Sequence, residues 1–347
     1  MQRNPLGKTE ISISSLALGT MTFGAETNKV DSFRQLDIYV DQGGTHIDTA
    51  DGYAGGKSEE IIGEWISQRG KSHAITIATK GRFSPPEGSA GASRRSLIHS
   101  VDASLRRMNV DAFDLYYVHG WDPQTDILET LQTLGDLVDA GKIKQISWSN
   151  VSGWQLQKIV ALASSHGLPS PVALQAQYNL LERGIELEVL PCCLENNIAV
   201  TVWSPLAGGW LTGKYAANER PADHTRLGED PDRGDGYDYR NTERTYTVLR
   251  LLQVIANDHN RPITHPALAW AVSRPGVASV PVGARTVKQL EANLAAADFF
   301  LSQEEMSMLT QASALEALPY PYNFLEDPCG MDIWKVLGTR QVRNLAN

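Results

Sequence analysis

Apolar residues in this chain recur in two rhythms that alternate almost from end to end. Short β-branched or apolar runs give way to stretches with apolar positions three and four apart, and then to the next short run. Eight short runs stand out, at residues 15–19, 45–49, 75–79, 115–119, 144–148, 173–177, 199–203 and 278–282. After the third, Leu97, Ile98, Val101, Leu105 and Met108 fall on one stripe of a helix over 96–108. Ile127, Leu128, Leu131, Leu134, Leu137 and Val138 make a second stripe, and Gly141 supplies its stop signal. Eight strands each followed by a helix predict an α/β fold of the (β/α)8 TIM-barrel class. Ahead of the first unit, Leu6-Gly7-Lys8 reads as the turn of an N-terminal hairpin that plugs the barrel's bottom. Two segments exceed ordinary loop lengths, an extended βα-loop at 215–240 and a C-terminal tail at 302–347. Either they pack on the surface or they cover the barrel mouth.

At roughly 150 residues per domain, the 347 residues of the chain suggest about two domains. The eight runs share one rim, however, so a single barrel domain over 1–347 is expected, with the surplus in hairpin, long loop and tail. With 42% hydrophobic and 20% charged residues the chain has the composition of a packed globular protein, not of a disordered or collagenous one. A net charge of −9 gives no general attraction to nucleic acid or to an anionic membrane, so an anionic ligand must be held by local groups. Cys192, Cys193 and Cys329 are too few for a disulfide framework, and the adjacent pair lacks zinc-like spacing. That fits a reducing, cytoplasmic setting, and no stretch reaches the 18 or more apolar residues of a membrane span.

Active sites in such barrels lie at the C-terminal ends of the strands. Asp48 and Tyr53 follow the second run, Lys80 ends the third and His119 ends the fourth. A lone lysine at a strand end is ordinarily a solvated charge, and a lone histidine a satisfied structural group; four such residues on three successive strands are a different matter. Tyrosine ordinarily titrates near 10, and an adjacent ammonium favours its ionised form, so Lys80 is expected to make Tyr53 a usable acid. Asp48 pairs with Lys80 in this reading, and a neutral His119 donates a hydrogen bond to a carbonyl oxygen. Such a site suits proton delivery to an incipient alkoxide, while a hydride must come from a cofactor. A Schiff-base aldolase on Lys80 is a competing reading. A metal hydrolase using His46, His119, Asp48 and Asp51 is disfavoured by Lys80 on the same rim, and no metal is expected.

The order of motifs resembles the aldo-keto reductase superfamily over nearly the whole chain. The resemblance rests on Leu16-Ala17-Leu18-Gly19-Thr20-Met21-Thr22-Phe23-Gly24, on Asp48 to Tyr53 continued by Gly55-Gly56-Lys57-Ser58-Glu59, on Ala78-Thr79-Lys80 and on Asp114-Leu115-Tyr116-Tyr117-Val118-His119. Ser149-Asn150, Gln175-Ala176-Gln177-Tyr178-Asn179, Trp203-Ser204-Pro205-Leu206, Leu211-Thr212-Gly213-Lys214 and Gly283-Ala284-Arg285-Thr286 continue it. It implies a catalytic tetrad of Asp48, Tyr53, Lys80 and His119 in an NADP(H)-dependent oxidoreductase that reduces an aldehyde or ketone. The cofactor would lie across the barrel mouth, touching Gly19, Thr20, Met21 and Asp48. Its nicotinamide would sit near Gln175, stack on Trp203 and be held by Ser149 and Asn150. Ser204, Pro205, Leu206, Gly208 and Lys214 would hold the pyrophosphate. Arg285 would meet the 2′-phosphate, and Gln289 and Asn293 the adenine. Phe23, Tyr53, His119 and Trp121 would wall the substrate pocket, with the aromatic stretch around Tyr320, Tyr322 and Phe324 either selecting substrates or packing outside. The Trp-Ser-Pro-Leu segment is similar to potassium-channel beta subunits, so a nucleotide-sensing regulatory subunit with residual reductase activity is the alternative. The expected partner is a small carbonyl compound, and the chain is read as monomer or homo-oligomer.

Overall fold

The computed structural model describes residues 1–70, 75–83, 88, 90–223, 225–230, 236–315 and 321–322. Two compact units are present, Met1–Ser313 and Ala314–Asn347. Within the first, β1 (Arg3–Pro5) pairs antiparallel with β2 (Ser12–Ser14). Eight further strands close a parallel barrel in the order β10-β3-β4-β5-β6-β7-β8-β9. They are β3 (Leu16–Gly19), β4 (His46–Asp48), β5 (Thr76–Gly81), β6 (Phe113–Val118), β7 (Ile143–Ser149), β8 (Ala173–Gln177), β9 (Ala199–Trp203) and β10 (Val277–Gly283). Each coincides with one of the eight apolar runs, shifted by no more than a few residues. The seam joins Gly283 to Gly19, so first and last strands lie side by side.

Helices follow the strands in turn: α1 (Lys29–Asp41), α2 (Lys57–Arg69), α3 (Arg94–Met108), α4 (Ile127–Asp139), α5 (Gly153–Ser165) and α6 (Val189–Glu195). After β9 come α7 (Arg226–Glu229), α8 (Gly236–Arg240), α9 (Glu243–Asp258) and α10 (Thr264–Val272), and after β10 come α11 (Val287–Leu294) and α12 (Gln303–Ala312). The two stripes read from sequence begin behind side-chain caps, Ser93 accepting from the Ser96 amide and Asp126 from the Leu128 amide. Leu97, Val101 and Met108, like Leu131 and Leu134, are fully buried between helix and sheet. No helix among the described residues is long and apolar enough to cross a membrane.

The hairpin closes the N-terminal end of the barrel. Leu6 and Ile13 are fully buried and cluster with Ala78, Leu115, Tyr117 and Ala173 of the strands. Gly7 takes φ +57, and a Cβ there would lie 2.4 Å from the Val172 carbonyl oxygen, so only glycine turns the chain at this place.

The long segments behave differently from each other. Helix α12 packs against α9 on the outside of the barrel, with Trp270 donating to the Thr310 hydroxyl, so this part of the tail covers no mouth. The aromatic stretch around Tyr320 lies outside the described residues, save Pro321 and Tyr322, as does Cys329. In the connection after β9, Trp210 stacks on Tyr237 at 5.3 Å, and the Tyr237 hydroxyl donates to the Ala216 carbonyl at 2.6 Å. This loop therefore has a small aromatic core of its own.

Candidate functional site

Strand periodicity places Asp48, the last residue of β4, and Lys80, near the end of β5, on one rim. The Lys80 side chain has no exposure to solvent, and all three of its N–H bonds have acceptors. Nζ donates to Asp48 Oδ2 at 2.8 Å, to the Thr49 carbonyl at 2.8 Å and to the Tyr53 hydroxyl at 3.3 Å. Tyr53 reaches it because the chain after β4 bends through a short 3-10 turn, Tyr53–Gly56. Asp48 accepts a second bond on Oδ1, from the Gln175 amide at 2.8 Å. His119, directly after β6, stands edge-on to the Tyr53 ring, centroids 6.1 Å apart. The four residues expected as a tetrad therefore converge.

Burial works against the Lys80 charge, but Asp48 and Tyr53 outweigh it and its pKa lies above the ordinary lysine value. The ammonium is thereby fixed, which argues against Schiff-base chemistry at Lys80. Burial also pushes the Tyr53 hydroxyl up, and the opposing pull of Lys80 does not cancel it. This corrects the expectation that the lysine would bring tyrosine within easy reach of ionisation. Lys80 limits the rise rather than reversing it. His119 is pushed down to about 3 by burial first and by Lys80 and Arg82 next, so its imidazole is neutral at pH 7.

On β7, Ser149 is buried and its hydroxyl has no partner among the described residues. An orphaned buried hydroxyl at a strand end is the kind of group a ligand amide completes. Asn150 takes φ +54, and its amide is engaged at both ends, donating to the His119 carbonyl and accepting from the Trp203 indole N–H, both at 3.0 Å. Trp203, at the end of β9, is half-buried at this rim.

Several of the other expected residues bond within the protein. Thr20 is fully buried and donates to the Asp48 carbonyl while accepting from Ser58, so its hydroxyl holds β3 to β4. Its neighbour Met21 is exposed, and Gly19 lies on the seam. The Gly208 amide donates to the Ser204 hydroxyl, Pro205 is buried and Leu206 packs on the core. Lys214 is exposed, its ammonium 5.1 Å from the Tyr215 ring. Gln289 accepts from the Arg285 amide at 3.0 Å, which closes the first turn of α11, and Asn293 is buried.

One wall residue needs correction. Phe23 has no exposed surface and belongs to the core beneath the mouth. Phe83 instead lies beside the site, its ring tilted 57° to that of His119 at 5.0 Å and half open to solvent. Sequence reasoning passed over it because nothing in the local pattern marks a residue three beyond a strand lysine as facing the next strand's histidine. Trp121 is half-buried, 5.6 Å from the exposed Trp154 ring. Arg82 links the two aromatic patches. Its guanidinium lies over Phe83 at 4.5 Å and donates to the Trp121 carbonyl at 2.6 Å, on a backbone at φ +131 that L residues rarely adopt.

Comparison with known proteins places this geometry. The model of the Aldo/keto reductase family matches residues 15–314. An uncharacterized oxidoreductase of Bacillus subtilis, YrpG, is 32% identical over 89% of this chain and 95% of its own length. The aldo-keto reductase YhdN of the same organism is 32% identical over 95% of this chain and 96% of its own. A probable voltage-gated potassium channel subunit beta of Arabidopsis thaliana is 32% identical over 86% and 92% respectively.

Proposed function

The chain belongs to the aldo/keto reductase family and is thus an oxidoreductase, and from that premise we propose that it reduces an aldehyde or ketone to an alcohol with a reduced nicotinamide dinucleotide, NADP(H) in the first instance. The observation that carries this reading is the buried Lys80 ammonium joined at once to Asp48 and to the Tyr53 hydroxyl.

When bound, the dinucleotide supplies the hydride, and the chain supplies the rest. Tyr53 gives its proton to the substrate oxygen as negative charge develops there, and Lys80 stabilises the tyrosinate left behind. Neutral His119 donates a hydrogen bond to the same oxygen and so orients the carbonyl. Asp48 holds Lys80 charged and fixes the Gln175 side chain, which would support the nicotinamide. The Ser149 hydroxyl would suit the carboxamide, and Asn150, bonded to Trp203, sets the tilt of an indole that would offer its face to the nicotinamide. Phe83, Trp121 and Tyr53 make an apolar wall that favours carbonyl compounds of low charge. In this reading small substrate and cofactor come from solution in the cytoplasm, and the barrel unit Met1–Ser313 carries the chemistry.

Consumption of NADPH and NADH followed at 340 nm, across a panel of aldehydes, ketones and sugars, tests the proposal. Turnover with at least one class supports it, and none with any would sink it. The likeness to the plant channel subunit favours a second reading, in which the chain senses nucleotide redox state for a partner. A stoichiometric partner in a pull-down, together with turnover too slow to matter, would select that reading instead.

A further inference from the structure

The guanidinium of Arg285, the group proposed to meet the 2′-phosphate, is already engaged. Nη2 donates to Glu229 Oε2 at 2.7 Å and Nη1 to Glu229 Oε1 at 3.1 Å, a two-pronged pair. A second carboxylate, Glu26, stands 3.8 Å away. Among the described residues, the Arg285 guanidinium thus lies between two carboxylates.

The two acids arrive on different segments. Glu26 lies in the turn between β3 and α1, where Thr27 donates to the carbonyls of Ala284 and Arg285, both at 3.2 Å, and Thr22 to that of Ala284 at 3.1 Å. Glu26 therefore travels with Arg285. Glu229 ends α7, a single turn within the long connection from β9 to α9. Its side chain is 46% exposed, so it can leave the pair without unpacking a core.

An arginine fork binds a phosphate through the same parallel N–H pair it offers a carboxylate. A 2′-phosphate must therefore displace Glu229 and then tolerate Glu26. A 2′-hydroxyl has no such need, since it is neutral and can donate to a carboxylate left in place. We propose that Glu229 is a specificity-determining residue that competes with the 2′-phosphate of NADP(H) for Arg285, so that the protein discriminates weakly between the phosphorylated and unphosphorylated dinucleotides and frees the α7 end of the loop only for the former. The proposal rests on the reading of Arg285 as the adenosine-ribose contact.

Binding of NADP+ and NAD+, read by quenching of tryptophan fluorescence at fixed ionic strength, tests it in wild type, E229Q, R285A and the double variant. Wild-type affinities are expected within about tenfold of each other, and E229Q should tighten NADP+ by about tenfold while NAD+ stays within about twofold. In the R285A background E229Q should change nothing. Equal shifts for both dinucleotides would mean mere loosening of the loop and overturn the proposal, as would no shift at all. A second measurement reads the release directly: adenosine 2′,5′-bisphosphate, but not 5′-AMP, should speed tryptic cleavage after Arg226, and equal rates count against it. If wild type binds neither dinucleotide, the oxidoreductase site itself has been misread, an outcome distinct from failure of the competition.

Discussion

At the scale of single residues, the Lys80 cluster concentrates most of what the site can do. Tyr53→Phe removes the proton donor and leaves the ring in place. Carbonyl reduction is expected to fall by about 10²–10⁴-fold, with dinucleotide affinity within a factor of two in a fluorescence titration; undiminished kcat would remove Tyr53 from its role. Lys80→Met leaves Asp48 buried with Gln175 alone, so a loss of about 3–5 kcal/mol in urea unfolding is expected, and wild-type stability would show that the pair contributes nothing. Asp48, Lys80 and His119 were legible from sequence because they lie at or beside strand ends, and strands are visible as apolar runs; Tyr53, in the turn after β4, was legible only from the motif that continues Asp48. Phe83 and the Glu229 to Arg285 pair were not, since both depend on where a loop returns in space. Thr20 shows the same limit in reverse. Its place after β3 could be read, but not that its hydroxyl donates to the Asp48 carbonyl and accepts from Ser58.

At the scale of elements, the barrel keeps stability and chemistry at opposite ends. The hairpin turn lies against Val172 and Asn197, just ahead of β8 and β9, whereas the catalytic candidates sit where strands finish. Gly7→Ala adds a Cβ at positive φ against a carbonyl, with an expected cost of about 2 kcal/mol or more. Urea unfolding measures that cost, and kcat of the folded variant should stay at the wild-type value; a drop in both would show that the two ends communicate. All eight strands and the hairpin could be read from apolar rhythm and turn residues. Helix α12 was read only as tail, because its apolar stripe is short and its partner, α9, is more than forty residues away in sequence.

For the molecule as a whole, buried histidines set the acid limit. His46 lies in the barrel interior with neither ring nitrogen bonded among the described residues, and burial pushes it down to about 4; His119 is down at about 3. Both titrate near 6.5 once unfolded. Their neutral forms therefore favour the fold above about pH 6.5, and that stability is lost as pH falls toward 4, where the unfolded chain binds protons the native one refuses. Asp51, raised to about 6 by burial, acts in the opposite sense, favouring the fold below its ordinary range and losing that contribution as pH rises through 6. His46→Leu sacrifices no hydrogen bond. It should flatten the decline in unfolding free energy between pH 6.5 and 4 by about 3 kcal/mol, and an unchanged slope would show that His46 is not the group responsible. The arithmetic of length suggested two domains, and only the count of strands on a common rim pointed to one barrel. Which polar groups are buried within it was beyond reach of sequence, because burial is decided by closure.

That closure also orders events in time. The seam between β3 and β10 joins residues that leave the ribosome far apart in time, and Thr22 bonds Ala284 across 262 positions. Contacts of such span bear the full loop-closure entropy before they return anything. A nascent chain holding β3 to β9 has an open sheet with two unpaired edges, and edges of that kind recruit other strands. Until β10 arrives, the growing chain is at its most vulnerable to aggregation, so the last strand governs yield as much as it governs shape.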